Sequence, residues 1–111
     1  MTSIRIVSFV AYDEKKLKII YNKNSGRCEY DKVNLEFENH GKSCVNGAWE
    51  VDHSRPVSRG GTDHMDNLVP ACYLCNREKA NMLASEFKVY IAEKFPNMDD
   101  YRQKMRKKHC S

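Results

Sequence analysis

Trp49 to Lys79 reads WEVDHSRPVSRGGTDHMDNLVPACYLCNREK, and the parsing of this stretch decides the fold. Ala48-Trp49-Glu50-Val51 is a short β-prone run that leads into Asp52-His53. Pro56 and Gly60-Gly61 prevent regular structure and predict an ordered loop. Leu68-Val69-Pro70-Ala71 reads as a second short strand, which Pro70 confines to an edge or an irregular pairing. A helix is expected from Tyr73 to Ser85. The order is therefore strand, ordered loop, strand, helix.

That order brings together residues suited to phosphodiester hydrolysis. The reaction needs a base to activate water and a cation to neutralise charge on the phosphate and the leaving oxygen. Asp52 is a hard oxygen donor matched to Mg2+ or Mn2+. His53 can accept a proton near neutral pH. Neighbouring side chains on a strand face opposite ways, so both reach one site only if the chain ends or bends there. Ser54-Arg55-Pro56 supplies the bend. Asn76 falls within the first turn of the expected helix, where its amide oxygen could complete a cation site. Mg2+ usually keeps several waters, so two protein ligands suffice. Taken singly, each residue has a plainer reading: an Asp-His dipeptide is commonly surface decoration, Asn67 could cap a turn, and Arg59 could merely flank the glycines. Their joint spacing carries the argument.

Asp52-His53, then thirteen residues, Asn67, then eight residues, Asn76, with Gly60-Gly61 in the loop and Cys72-x-x-Cys75-Asn76-x-x-Lys79, resembles the signature of the HNH nucleases. The resemblance covers about residues 26 to 82. It implies an α+β fold, a small ββα-metal core with flanking helices. It further implies His53 as general base, Asp52 and Asn76 as ligands of one catalytic Mg2+ or Mn2+, and Asn67 as the residue that ties the loop down and orients His53. Products would carry 5′-phosphate and 3′-hydroxyl ends, and double-stranded DNA is the substrate expected first. Arg55, Arg59, Arg77 and Lys79 lie close to the motif and are candidate phosphate contacts, which position a strand without reading bases. Two other readings stay open: a zinc-ribbon-like nucleic-acid-binding module without catalysis, and an RNA nuclease.

The cysteines mark a departure from that family. Many HNH domains hold a structural zinc with two Cys-x-x-Cys pairs. Cys72 and Cys75 supply the second pair. The first reads Cys28-Glu29-Tyr30-Asp31, with Asp31 where a cysteine is expected. Structural zinc needs four donors, and Cys28, Cys72 and Cys75 give three. Asp31 or Cys44 is the favoured fourth, with His40 a further option; in the absence of zinc the cysteines would be small buried hydrophobes. A redox reading of Cys72-x-x-Cys75 lacks a surrounding βαβ pattern. Cys110 is expected to be a free thiol.

The remainder bounds the setting. With 111 residues, 41% hydrophobic and 31% charged, the chain suits one globular domain, residues 1–111. Ile4 to Tyr12 could be strand or helix; Leu17, Ile20 and Tyr21 have helical spacing after a possible N-cap at Asp13, so 1–25 is taken as a helical segment. A short strand is expected near Val33 to Phe37. Phe87, Tyr90 and Ile91 share a helical face, and C-terminal helices are placed at about 86–108. Net charge is +4, yet residues 101–111 hold five Lys and Arg and no acid, leaving a net of −1 on the rest. That basic tail could meet phosphates or be a solvated helix end. An odd cysteine count and the lack of a signal-like segment or an 18-residue apolar run predict an intracellular protein without a membrane span. No heptad or other dimer signature is present, and a homodimer stays open.

Overall fold

The computed structural model describes residues 4–7 and 10–111. The first two strands, β1 (Ile4–Val7) and β2 (Val10–Asp13), pair antiparallel with Ile4 opposite Asp13. Helix α1 (Glu14–Asn22) follows, capped by Asp13, whose carboxylate accepts from Lys16 N at 2.8 Å. Leu17 and Ile20 are its buried face. Among the described residues of the segment expected to be helical over 1–25, Ile4–Val7 and Val10–Asp13 are strand and Glu14–Asn22 is helix; the rest of the expectation before Val10 lies outside the described residues.

Gly26 ends the turn after α1 with φ +76°, and a Cβ there would stand 2.7 Å from Tyr21 Oη. Residues 28–47 then run as loop. The strand expected near Val33 to Phe37 does not form. Its backbone bonds go to separate places instead: Leu35 N to Gly26 O at 2.8 Å and Glu36 N to Gly47 O at 3.1 Å. Phe37–Asn39 closes as a single 3-10 turn. No continuous partner strand is available, so only an isolated Arg27–Asn34 bridge remains.

Strands β3 (Trp49–His53) and β4 (Leu68–Cys72) pair antiparallel, with Trp49 opposite Cys72 and His53 opposite Leu68. Pro70 is tolerated because this sheet has two strands, leaving every position at an edge. Its carbonyl accepts from Glu29 N at 2.9 Å, which fastens the 28–31 turn to the outer side of β4. Helix α2 (Tyr73–Lys79) starts directly from β4, with the Cys72 sulfur accepting from Cys75 N at 3.4 Å.

The helix expected over 73–85 is two pieces. Ala80 has φ +48°, outside the right-handed helical region, so α2 stops at Lys79. The chain restarts as α3 (Ala84–Lys94), whose first N–H, on Ala84, donates to Ser54 O at 2.8 Å. Helix α4 (Met98–Cys110) is capped by Asn97.

One core cluster joins these elements: Leu17 and Ile20 from α1, Trp49 and Val51 from β3, Leu68 from β4, Leu74 from α2, Phe87 and Ile91 from α3, Tyr101 and Met105 from α4. Trp49 and Phe87 are wholly buried. Burying such side chains supplies about 1.5–3 kcal/mol each and is what seats the sheet and α2 as a rigid base for the loop. Among the described residues, no helix is long and apolar enough to cross a membrane.

Cys44 and Cys110 form a disulfide, which corrects the expectation of a free Cys110 and removes Cys44 from the candidate zinc ligands. The spacing of 66 residues gives no hint of this in the sequence; the docking of α4 beside the 41–47 loop creates it. The odd cysteine count resolves into one bonded pair and three free thiols, Cys28, Cys72 and Cys75. With that pairing, the count no longer argues for a reducing compartment.

Candidate active site and metal centre

Asp52, His53 and Asn76 line one cleft of about 290 Å³, together with Pro56, Val57 and Lys79. Asp52 and His53 are adjacent at the end of β3; Ser54 N donates to Asn67 O at 2.9 Å in continuation of the β3–β4 register, and the chain bends away at residues 54–55. That turn allows both side chains to reach the cleft. Asn76 comes from the first turn of α2.

Asp52 is buried, 6% exposed, and its carboxylate is held from two sides. Tyr30 Oη donates to Oδ2. The Lys79 ammonium stands 3.3 Å from each carboxylate oxygen and donates to His53 O at 3.0 Å. Burial raises the Asp52 pKa, opposed by the Lys79 charge and the Tyr30 hydroxyl. Burial and the Asp52 charge together push the Tyr30 phenol well above its ordinary range, so it is a permanent donor. A carboxylate offers about four lone-pair sites. Two donors leave some of them for a ligand in the cleft.

His53 Nε2 lies 2.6 Å from Asp63 Oδ1. An ionised carboxylate can only accept, so Nε2 is the donor in this pair. Asp63 reaches this point through the 54–67 loop, whose shape rests on two residues. Gly60 takes φ +87°, and a Cβ on Gly61 would sit 1.7 Å from Arg55 O. Asn67 then laces the loop shut: its amide oxygen accepts from Arg55 N at 2.9 Å, and its nitrogen donates to Arg55 O at 3.1 Å and Thr62 O at 2.8 Å. These bonds lie on the backbone just after His53. At the far end of the loop, the Lys23 ammonium donates to Leu68 O at 2.7 Å and to Met65 O.

The basic residues separate into three situations. Arg55 and Arg77 are exposed, Arg77 over the Tyr73 ring at 5.1 Å. Arg59 is paired with Glu86 at 2.6 Å. Lys79 is fully buried, which corrects its assignment as a phosphate contact. It lies on the inner face of α2, with Leu74 and Cys75, and its ammonium is consumed by Asp52 and the His53 carbonyl.

A second centre lies at the β4–α2 junction. The ligand atoms of Cys28, Asp31, Cys72 and Cys75 all fall within 4.8 Å of one another. Tetrahedral zinc with sulfur bonds near 2.3 Å needs donors roughly 3.8 Å apart, so this set fits a metal ion. Of the possible fourth donors, Asp31 is the one in place. His40 is buried elsewhere, its ring 4.8 Å from that of Trp49. Burial pushes the Cys28 and Cys75 thiols up, whereas hydrogen bonds from Cys28 and Cys75 pull Cys72 down. Burial also raises Asp31, helped by Cys72 and opposed by Arg102. Arg102, from α4, pairs with Asp31 and places its guanidinium 3.3 Å from the Cys72 sulfur. Three thiolates and a carboxylate around a divalent ion leave excess negative charge, and Arg102 offsets part of it. Tyr101 Oη meets the Cys75 sulfur at 3.1 Å.

Sequence reasoning missed Tyr30, Asp63 and Arg102. Tyr30 sits between two cluster residues, and that position was the available signal. Nothing local marks Asp63 or Arg102, because each meets its partner only after a loop or a helix has docked.

An antiparallel strand pair closed by a laced loop and followed at once by a helix, with Asp-His on one strand and Asn in the helix, is a ββα arrangement. The family model described as HNH endonuclease matches residues 31–82. Residues 31–82, just under half of the chain, are thus similar to an HNH endonuclease domain. A cattle (Bos taurus) protein described as "DNA annealing helicase and endonuclease ZRANB3" is 46% identical over 39 residues. The match takes in 34% of this chain and 4% of that protein.

Proposed function

We propose that this chain is a metal-dependent DNA endonuclease that hydrolyses phosphodiester bonds to 5′-phosphate and 3′-hydroxyl ends. The observation that carries the reading is the convergence of Asp52, His53 and Asn76 on one cleft, with the His53 tautomer set by Asp63. His53 Nδ1, free of the Asp63 bond, takes the proton of a water that attacks the phosphorus. Asp63 accepts from the opposite ring nitrogen, holds the ring in that orientation and stabilises the imidazolium that forms. Asn67 keeps the loop, and hence Asp63, in reach. Asp52 and Asn76 would hold one Mg2+ or Mn2+. When bound, that cation supplies charge stabilisation to the phosphate and the leaving 3′ oxygen.

Arg55 and Arg77 are the side chains exposed to meet DNA phosphates; Arg59 would have to exchange Glu86 for one. The Cys28, Asp31, Cys72 and Cys75 cluster holds zinc in a purely structural role, since all four donor positions are protein. DNA is favoured over RNA by the similarity to ZRANB3, a DNA annealing helicase and endonuclease.

The test is supercoiled plasmid incubated with purified protein and Mg2+ or Mn2+, beside His53→Ala, Asp63→Asn and an EDTA control. The expected result is nicked or linear DNA in the metal-containing wild-type lanes, loss of cleavage by His53→Ala, and at least a ~10-fold slower Asp63→Asn. Full activity in folded His53→Ala would refute the base assignment. Binding without cleavage under every metal would favour the non-catalytic module. Nicks alone would point to a monomer acting on one strand, and direct linearisation to paired copies.

A further inference from the structure

The two centres described above are joined by Tyr30. Its neighbours in the chain include Cys28 and Asp31, both cluster residues, and its own N–H donates to the Cys28 sulfur at 3.4 Å. Its ring is buried, packed edge-on against Phe87 of α3 at 5.1 Å. Its hydroxyl, at the other end, donates to Asp52. The turn that carries half of the cluster therefore reaches directly to one side of the cleft. The other side hangs from the same cluster by chain connection, because Asn76 directly follows Cys75.

We propose that Tyr30 is a positioning residue for the cation site, a link through which the cluster-bearing turn fixes the Asp52 carboxylate. The proposal rests on the reading of Asp52 and Asn76 as cation ligands. Three physical points support it. The ring has no freedom to swing away, being enclosed by α3 and the cluster turn. The Tyr30 hydroxyl bonds Oδ2 alone, whereas the Lys79 ammonium stands 3.3 Å from both oxygens and does not distinguish them, so the Tyr30 bond sets the plane of the carboxylate. A hydroxyl donor also removes one lone pair while leaving the charge intact, which a cation requires. Without it, the Lys79 ammonium, 3.3 Å from both oxygens, is left as the contact that orients the carboxylate.

The experiment is Mn2+ titration of the zinc-loaded protein by calorimetry and by the electron paramagnetic resonance of free Mn2+, for wild type, Tyr30→Phe and Asp52→Asn. Zinc content and far-ultraviolet circular dichroism are measured on each. The expected result for Tyr30→Phe is Mn2+ binding weakened about 5- to 10-fold, with zinc content and fold unchanged. Its plasmid cleavage, slow at low Mn2+, should return towards the wild-type rate at saturating Mn2+. Tyr30→Phe with Mn2+ affinity within twofold of wild type, while Asp52→Asn binds weakly, would overturn the role of Tyr30. Loss of zinc or of fold in Tyr30→Phe would also overturn it, making Tyr30 a part of the cluster's own scaffold. Asp52→Asn with wild-type affinity is a different result: the cation-ligand reading itself would fall.

Discussion

Lys79 shows how far one residue's role depends on packing. From the sequence it is a cation three positions after Asn76 and a natural partner for phosphate. In the fold it is wholly buried, with Asp52 and the His53 carbonyl as its partners. Removing one member of a buried ion pair leaves the other desolvated and unpaired, at a cost of about 3–5 kcal/mol. Lys79→Met keeps the aliphatic stem and deletes the charge, so it should lower stability by roughly that amount in metal-free buffer. Urea denaturation measures it. A loss under about 1 kcal/mol would mean that solvent reaches Asp52 and that the pair is screened. That Asp52, His53 and Asn76 share one cleft was legible in the sequence because it follows from chain-local geometry, a strand end and the first turn of a helix; the place of Asn67 was legible only through the family resemblance. Lys79 was misread for the converse reason. Helical spacing places it on a face, but only the position of β3 decides whether that face is covered.

At the scale of elements, the β3–β4 hairpin and the start of α2 follow from short-range rules, and the sequence places these within two residues, whereas α2 ends six residues earlier than expected. The 54–67 loop was legible as a loop and not as a shape. Its two glycines act differently. Gly60 has a left-handed φ and open space around its missing side chain, whereas Gly61 has backbone oxygen where a Cβ would go. Gly60→Ala should therefore cost only the left-handed penalty of about 1–2 kcal/mol, with the loop intact. Gly61→Ala must push the chain off Arg55 O, which moves Asp63 relative to His53. Cleavage should fall at least ~10-fold in Gly61→Ala and far less in Gly60→Ala. Side-by-side plasmid rates decide this; equal effects would show that the loop is compliant. The absent strand near Val33 to Phe37 and the break at Ala80 have a shared cause. Both segments have local patterns that fit a regular element, and both give up its hydrogen bonds to meet tertiary partners instead.

Over the whole molecule, α4 is the element least visible in its consequences. The sequence shows a basic helix at the C-terminus, and the fold seats it on the Cys28, Asp31, Cys72 and Cys75 cluster. Arg102 and Tyr101 touch cluster residues, Glu78 pairs with Lys108 at 2.9 Å and His109 at 3.0 Å, and Cys110 bonds Cys44. Part of the basic charge that could have met DNA is therefore spent inside the protein. A cross-link over this separation stabilises by about 2–4 kcal/mol, chiefly by restricting the unfolded chain. Cys110→Ser should lower the urea midpoint accordingly, with zinc content retained. An unchanged midpoint would mean that the remaining α4 contacts already hold the helix.

The Cys44–Cys110 bond also draws residues 44 to 110 into a covalent ring. His53, Asp63, Asn67 and Asn76 all lie within it, and so do Cys72 and Cys75. Cys28, Tyr30 and Asp31 lie on the tail that precedes it. A protease that nicks the chain once inside the ring, for instance at the exposed Ser58–Gly60 segment, yields two peptides that still travel as one species until reductant is added. A nick between Asp31 and Cys44 has the opposite result: no covalent bond spans it, and a metal ion bound by Cys28, Asp31, Cys72 and Cys75 would be the clasp that keeps tail and ring together.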